Sequence, residues 1–446
     1  MKMKSVNSTI LSVTAASIMI IYGCTSRESR KFGDTTIEKW ADGKSGAVSL
    51  TFDDGSINQF KVAMPIMDSL GLPGTFFINT GNIPGSKYQA EFIGRPQEEI
   101  IKESAVSATD RDNLFERASM VAYAPYSGMR NYFTTAGELY ESGKIEEACR
   151  KIDEALAELR TGKAKPRRTG SGSVSDRITW DDIRILASKG HEFASHTITH
   201  PRLAIMDSAN LVNELEGSRK EMLEQLGEKF TFSAECPYGT EDERVMEFAY
   251  KYYPALRNRM PEPFLMELNR GSRKSPVNNE SEYVQWQRGA LTSTPMELMK
   301  AWVDTTAAMS NIWLVLVFHG VDGIGWEPLT GNDLRNYYNY IKSSENRLWV
   351  ATFGDVAKYI RERMNSRVEA ISKKGRLTVN LSAGLGKEYD YPLTLKTYLS
   401  GSPDKLQIMQ GQNEIGFTPG KDDRGNYVMY RSVPGSGDLI LSFREK

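Results

Sequence analysis

Cysteine is scarce, with three in 446 residues, and Cys24, Cys149 and Cys236 are too few and too scattered for a disulfide framework. Cys149 and Cys236 are expected as core or site-lining thiols. Neither sign of charge is in excess: 56 basic against 57 acidic side chains leave a net charge of -1, so bulk electrostatics gives no reason to expect nucleic acid as a partner. Histidine is also rare, at four: His191, His196, His200 and His319. What is present, 40 % hydrophobic and 25 % charged residues, is the composition of a soluble globular chain. The length corresponds to two or three domains at roughly 150 residues each.

The first residues stand apart. Met1-Lys2-Met3-Lys4 is basic, Ile10 to Tyr22 is apolar but too short and too interrupted to span a bilayer, and Gly23-Cys24 closes the segment. Ile21-Tyr22-Gly23-Cys24 resembles the lipobox of a bacterial lipoprotein signal. That resemblance implies a signal peptide over 1–24, lipidation of Cys24, and an exported chain anchored in the cell envelope, at the outer membrane or facing the periplasm. An ordinary cleaved secretory signal is the alternative. Residues 25–43 follow as a polar tether.

The chemistry centres on Val48-Ser49-Leu50-Thr51-Phe52-Asp53-Asp54-Gly55, an apolar run of strand length that ends on two adjacent carboxylates and a glycine. Two like charges side by side raise each other's pKa unless a cation or donor separates their roles. A metal ion does so most simply. A helix is expected from about Asn58 to Leu70 and a strand over Thr75 to Asn79. Strand, helix and strand with short connections form the unit of a parallel sheet, whose catalytic residues gather at the carboxyl ends of the strands.

From about 81 to 175 the pattern changes to that of a helical insertion. Ile145, Cys149, Ile152, Leu156 and Leu159 mark one helix face, a shorter helix is expected near Thr135 to Glu141, and a basic run and a Gly/Ser linker close the segment. The alternation then resumes. Thr179 caps a helix, His191 to Ser195 is a strand delivering His196 and His200, and Phe230 to Ala234 is a strand running into Glu235-Cys236-Pro237-Tyr238-Gly239. A helix from Pro295 is expected to be capped by Thr294 with Glu297 as reciprocal partner. Ile312 to Phe318, the most hydrophobic run beyond the N-terminal segment, is a strand buried on both faces that ends on His319. Leu348 to Thr352 and Gly354 to Met364 are a last strand and helix. Alternating runs between Gly- and Pro-rich turns predict a small all-β, sandwich-like domain over 375–446.

Thr51-Phe52-Asp53-Asp54-Gly55, His196-x-x-x-His200, Cys236-Pro237-Tyr238-Gly239 and Val317-Phe318-His319-Gly320 follow one another at the ends of successive predicted strands. In that order they resemble the polysaccharide deacetylase family, carbohydrate esterase family four, over about 46–80 and 176–365. The resemblance implies an α/β fold, an irregular (β/α)7-type barrel over 44–370, and metal-dependent removal of an N- or O-linked acetyl group from a poly- or oligosaccharide. It implies Asp54, His196 and His200 as ligands of one divalent metal, Zn2+ first, with Co, Ni or Fe as alternatives. It further implies Asp53 as the base acting on metal-bound water, His319 as the acid, and the backbone N–H of Tyr238, in a turn fixed by Pro237, as oxyanion donor. Pro237, Tyr238 and Trp326 are candidates for substrate contact, Trp326 either as a sugar platform or as a core residue. His191, at the opposite end of its strand from His196, is expected to be structural.

One position departs from the family pattern. Where many members carry an arginine just ahead of Pro-Tyr-Gly, this chain has Glu235 and Cys236. A base aspartate needs a cation or donor to stay ionised and oriented, and Arg257, expected on the next strand, is the candidate that reaches Asp53. The insertion is expected to form a lid or one wall of the substrate cleft. Two other readings stand beside this one: hydrolysis of C–N bonds in small cyclic amides or amidines on the same fold and metal, and a carbohydrate-binding lipoprotein whose site has decayed.

Overall fold

The computed structural model describes residues 33–167, 177–239, 242–261, 264–373 and 375–443. The lipobox, Cys24 and the Gly/Ser linker lie outside the described residues. The chain opens with β1 (Thr35–Ile37), β2 (Gly46–Phe52), α1 (Met64–Leu70) and β3 (Thr75–Ile78), followed by the helices α2 (Gln97–Glu103), α3 (Leu114–Tyr123), α4 (Met129–Glu141) and α5 (Ile145–Arg160). Then come α6 (Trp180–Ala187), β4 (Glu192–Ser195), α7 (Ser208–Leu226), β5 (Ser233–Ala234), α8 (Glu243–Ala249), β6 (Ala255–Leu256) and β7 (Met266–Leu268). The alternation ends with β8 (Val284–Gly289), α9 (Met296–Ala308), β9 (Ile312–Phe318), α10 (Gly331–Ser343), β10 (Leu348–Val350) and α11 (Phe353–Asn365).

The parallel sheet has the order β6-β5-β4-β3-β2-β9-β8-β7, with β10 beside β2. It curls into a half-barrel and stays open, because the edge strands β6 and β7, two and three residues long, do not pair with each other. β2 and β9 are buried along their whole length, and their alternate residues enter two different cores. Val48, Leu50 and Phe52, with Leu314, Leu316 and Phe318, pack among α1, α9 and α10. Ala47, Trp313, Val315 and Val317 pack on the opposite face of the sheet with Phe353, Val356 and Ile360 of α11. The period of two that sends neighbouring side chains to opposite faces is what brings Asp53 and His319, the next residues of the second set, onto one side.

Past α11 the chain forms β11 (Arg367–Lys373), β12 (Arg376–Ser382), β13 (Leu393–Tyr398), β14 (Leu406–Gln410), β15 (Asn413–Glu414), β16 (Phe417–Asp422), β17 (Gly425–Ser432) and β18 (Leu439–Phe443). These build two antiparallel sheets, β1-β13-β17-β16 and β11-β12-β18-β14-β15. The region therefore begins at β11, ahead of residue 375, and it recruits β1, which pairs with β13. Residues expected to belong to the tether are part of a sheet. Leu393, Leu395 and Val428 share one apolar core with Trp313 and α11, so the β region is packed onto the half-barrel.

Two local expectations change. The helix expected from Asn58 opens with a π-helical turn over Gln59–Ala63 before α1. α9 has Pro295 at its N-cap, because the Thr294 hydroxyl is taken by the Leu291 N–H at 3.0 Å. The insertion helices α2 to α5 pack with Leu203 to Met206, α7 and α8 in a third core. Among the described residues no helix is long and apolar enough to cross a membrane.

Candidate metal centre and active site

Strand register decides which polar side chains meet. Phe52 pairs with Phe318, so Asp53 and His319 are the next residues out on adjacent strands, and the Asp53 N–H donates to the Phe318 carbonyl at 3.0 Å. Ser195 pairs with Ala234 and Ala234 with Leu256, which sets His196, Glu235 and Arg257 in a row one residue further on. Gln59 Nε2 donates to the carbonyl oxygens of Asp53 and His319 at 2.6 and 2.7 Å and ties those two strand ends together.

Asp53 is 2 % exposed. Arg257 Nη1 donates to its Oδ1 at 2.6 Å and Nη2 to its Oδ2 at 2.7 Å. Nη1 also donates to Thr51 Oγ1 at 3.0 Å, and Nη2 lies 2.8 Å from Glu235 Oε1, which accepts from Asn258 Nδ2 at 2.7 Å. The other Glu235 oxygen is 3.0 Å from His196 Nδ1, itself 2.9 Å from the Glu235 carbonyl oxygen. Burial pushes the Asp53 carboxyl up, but Arg257, with help from His319, outweighs it and holds the group well below the usual carboxylate range. Burial likewise raises Glu235 and Arg257 brings it below its ordinary value. For His196 burial acts downward, and Glu235, Asp53 and Asp54 together push it up to about 9.

Asp54 and Gly55 both have left-handed backbones, with φ of 74° and 68°, and this turn gives the adjacent carboxylates different partners. Asp54 Oδ1 is 3.2 Å from His200 Nε2 and 3.7 Å from His196 Nε2. Thr197 and His200 are also left-handed, at φ 66° and 60°, a region costly for a β-branched residue. The surrounding structure pins that loop. Thr197 Oγ1 accepts the His200 N–H at 3.0 Å, and Glu214 of α7, fully buried, accepts the N–H groups of Ile198 and Thr199 at 2.8 and 2.9 Å. Arg130 of α4 donates to the carbonyls of Thr199 and His200 at 2.5 and 2.6 Å. Arg202 pairs with Glu138 and Glu141 of the same helix.

Asp54, His196 and His200 offer ligand atoms that all lie within 4.8 Å of one another. One oxygen and two nitrogens suit Zn2+ and other first-row divalent ions. With Nδ1 of His196 facing Glu235, its Nε2 faces Asp54, the arrangement in which a carboxylate fixes the tautomer of a ligating imidazole. Asp53, His196 and Glu235 also converge, but both of those carboxylates are already engaged by the Arg257 guanidinium. The donor set therefore fits a single cation at Asp54, His196 and His200.

His319 Nε2 lies 3.3 Å from Asp53 Oδ2, and its Nδ1 is buried with no hydrogen-bond partner among the described residues. Burial holds its pKa below the ordinary value against the pull of Asp53. Trp326, 53 % exposed, meets the His319 ring edge-on with centroids 4.6 Å apart, so it is no core residue. The Tyr238 ring meets His200 at the same separation, and Tyr238, directly after Pro237, has φ 64°. Tyr238 and Trp326 border a cleft of about 540 Å³. Among the described residues that line it none comes from 81–175. The insertion thus braces the histidine loop through Arg130, Glu138 and Glu141 instead of walling this cleft. His191 is elsewhere, accepting the Gly74 N–H at 3.1 Å and meeting Asp68 at 2.9 Å. Cys149 and Cys236 are both buried and unbridged.

Residues 41–108 and 141–253 match the family model described as polysaccharide deacetylase. A relative named gellan lyase, from a Bacillus species, is 25 % identical over 283 residues, covering 60 % of this chain. The match spans only 11 % of that relative's length. Similar solved structures include a Streptococcus pyogenes deacetylase, PplD, in complex with acetate (16 % identity, 46 % of this chain and 51 % of that one, TM-score 0.24). Bacillus subtilis PdaA, a family 4 carbohydrate esterase, is 12 % identical over 73 % of this chain and 83 % of its own, with TM-score 0.32. The family 4 carbohydrate esterase from Streptomyces lividans in complex with acetate is 11 % identical over 69 % and 92 %, with TM-score 0.31. The family match brackets the strands and loops that carry Asp53, Asp54, His196, His200 and Glu235, leaving out 109–140, where α3 and most of α4 lie. The chain is similar to the polysaccharide deacetylase family over two stretches, residues 41–108 and 141–253.

Proposed function

We propose that this chain is a metal-dependent hydrolase that removes acetyl groups from a carbohydrate. The observation that carries the reading is the adjacency of two clusters at the strand ends: an Asp54, His196 and His200 donor set, and Asp53 held between Arg257 and His319. A divalent ion bound by the first cluster would polarise the acetyl carbonyl and acidify water. Asp53 takes a proton while Arg257 keeps it ionised and oriented. A carboxylate held so low is a weak base by itself, and His319 Nε2, 3.3 Å from Oδ2, gives the proton a path onward to the leaving amine or alcohol. The backbone N–H of Tyr238, in the turn after Pro237, serves as oxyanion donor. Tyr238 and Trp326 offer ring surfaces to the sugar.

The intact donor set and the paired, buried Asp53 weigh against a decayed site. The segment ending at Cys24 supports an exported, lipid-anchored location in the cell envelope. The test is acetate release by the metal-loaded chain from chitin oligomers, peptidoglycan fragments, acetylated xylan and acetylated exopolysaccharides. Release that a chelator abolishes supports the reading. A folded protein with stoichiometric metal and no release from any of the four overturns it.

A further inference from the structure

The cleft beside the Asp/His cluster is cationic, and the proposed chemistry does not use that charge. Arg270 and Arg288 line it together with Asn258, Asn269, Trp302 and Trp326, and no Asp or Glu lines it among the described residues. Leu268, the last residue of β7, is paired with Trp286 of β8; Arg288 stands two residues further along β8 and Arg270 two residues past the end of β7. Arg288 is partly buried. Its Nη1 donates to the Gln287 carbonyl at 3.2 Å, and its guanidinium lies 4.8 Å from the centre of the Trp286 ring.

Among the described residues the buried Arg257, Arg117 and Arg202 pair with carboxylates, and the partly buried Arg130 and Arg244 each donate to two backbone carbonyls. Arg270 and Arg288 form no ion pair among the described residues, and burial lowers the pKa of Arg288. A partly desolvated cation without a counter-ion is unfavourable unless a ligand supplies the opposite charge. Guanidinium groups match the geometry of carboxylate and of tetrahedral oxyanions. Trp326 lines the same cleft as both arginines and meets the His319 ring with centroids 4.6 Å apart, so an anion held here would sit beside the reacting sugar.

Resting on the deacetylase reading, we propose that the substrate is an anionic glycan whose sugar next to the acetylated one carries a carboxylate or sulfate, held by Arg270 and Arg288. Trp326, exposed at the cleft, then supplies apolar surface for a sugar ring of the same glycan.

The test compares an acetylated uronate-containing tetrasaccharide with its carboxyl-reduced counterpart, and adds an O-sulfated tetrasaccharide. For the metal-loaded full chain, kcat/KM on the uronate is expected to exceed that on the reduced form at least tenfold, mainly through KM, with the advantage shrinking in high salt. Arg270→Gln and Arg288→Gln bring the ratio toward one, and Arg288→Lys keeps part of it. A larger preference for the sulfated sugar assigns the anion to sulfate instead of carboxylate. Calorimetric binding of the deacetylated forms asks the same question without turnover. Equal or weaker binding of both anionic forms overturns the inference whether or not acetate is released. Preferential anionic binding without any acetate release overturns the deacetylase reading and leaves the anionic cleft standing.

Discussion

Arg257 and Asp53, 204 positions apart in sequence, are joined by two hydrogen bonds of 2.6 and 2.7 Å. The same guanidinium reaches Glu235, which faces His196. One cation therefore orients both the proposed base and the partner of a proposed metal ligand. Arg257→Met leaves two buried carboxylates without a counter-charge, a change that typically costs about 3–5 kcal/mol. Asp53 is depressed by Arg257, so its ionised form is favoured above the ordinary carboxylate pKa and that advantage is lost as pH falls. Without Arg257 the acid limb of the pH–rate profile is expected to move to higher pH and the melting temperature to drop. Arg257→Lys, which keeps the charge and loses the fork, is expected to fall between. An unchanged acid limb in a folded Arg257→Met protein would show that something else keeps Asp53 ionised.

Asp53 and Asp54 are neighbours with different duties, and substitution should separate them. Asp53→Asn is expected to retain metal and fold and to lose about 10²–10⁴-fold in kcat, the usual range for a general base. His200→Ala is expected to lose stoichiometric metal. Elemental analysis of the purified variants, set beside acetate release, checks both. Near-normal turnover by Asp53→Asn removes it from that role, and full metal content in folded His200→Ala counts against the ligand set.

Arg130 belongs to the insertion yet bonds the carbonyls of Thr199 and His200. Groups that orient a ligand from behind typically affect metal affinity 10- to 100-fold. Arg130→Met is expected to weaken metal binding within that range while the melting temperature of the metal-free protein changes little. Competition with a chromophoric chelator measures it. Unchanged affinity would mean that Glu214 alone holds the loop.

Asp53, His196 and His319 were legible because each directly follows a short strand, a local signal, and His200 because it lies at a fixed spacing from His196. Arg257 was reachable by electrostatics: a carboxylate in need of a counter-charge pointed to the next strand, where the structure sets that side chain against Asp53. Glu235 carried a signal that went unused, a charge closing an apolar strand beside the Pro-Tyr-Gly turn. Arg130 carried none, since its role depends on how α4 docks on a loop some 70 residues away. α10 was missed although Leu334, Tyr337, Tyr338 and Ile341 recur at helical spacing and Thr330 caps it through the Asp333 N–H. Alternating runs identified the C-terminal strands but not the face of the half-barrel they cover, because periodicity says that a face is buried and not against what. Thr294 failed as a cap because Leu291 offered its hydroxyl a closer use.

Glu267 on the edge strand β7 gives a test of the fold that is independent of the chemistry. Its Oε1 accepts the Met260 N–H at 2.9 Å, and burial pushes its carboxyl up to about 7, only partly opposed by that bond and by Arg259. A carboxyl raised from 4.5 contributes its full stability below that value and loses it as pH rises through about 7. Glu267→Gln keeps an oxygen for the Met260 N–H and carries no charge to desolvate. The variant is therefore expected to match the parent near pH 4 and to be more stable above pH 7, by on the order of 1–2 kcal/mol. Thermal melts at pH 4, 6 and 8 read this as a difference in melting temperature that grows with pH and then levels. A difference of the same size at all three values would mean that Glu267 stays ionised in the folded chain, held by a cation such as Arg259 and not raised by burial.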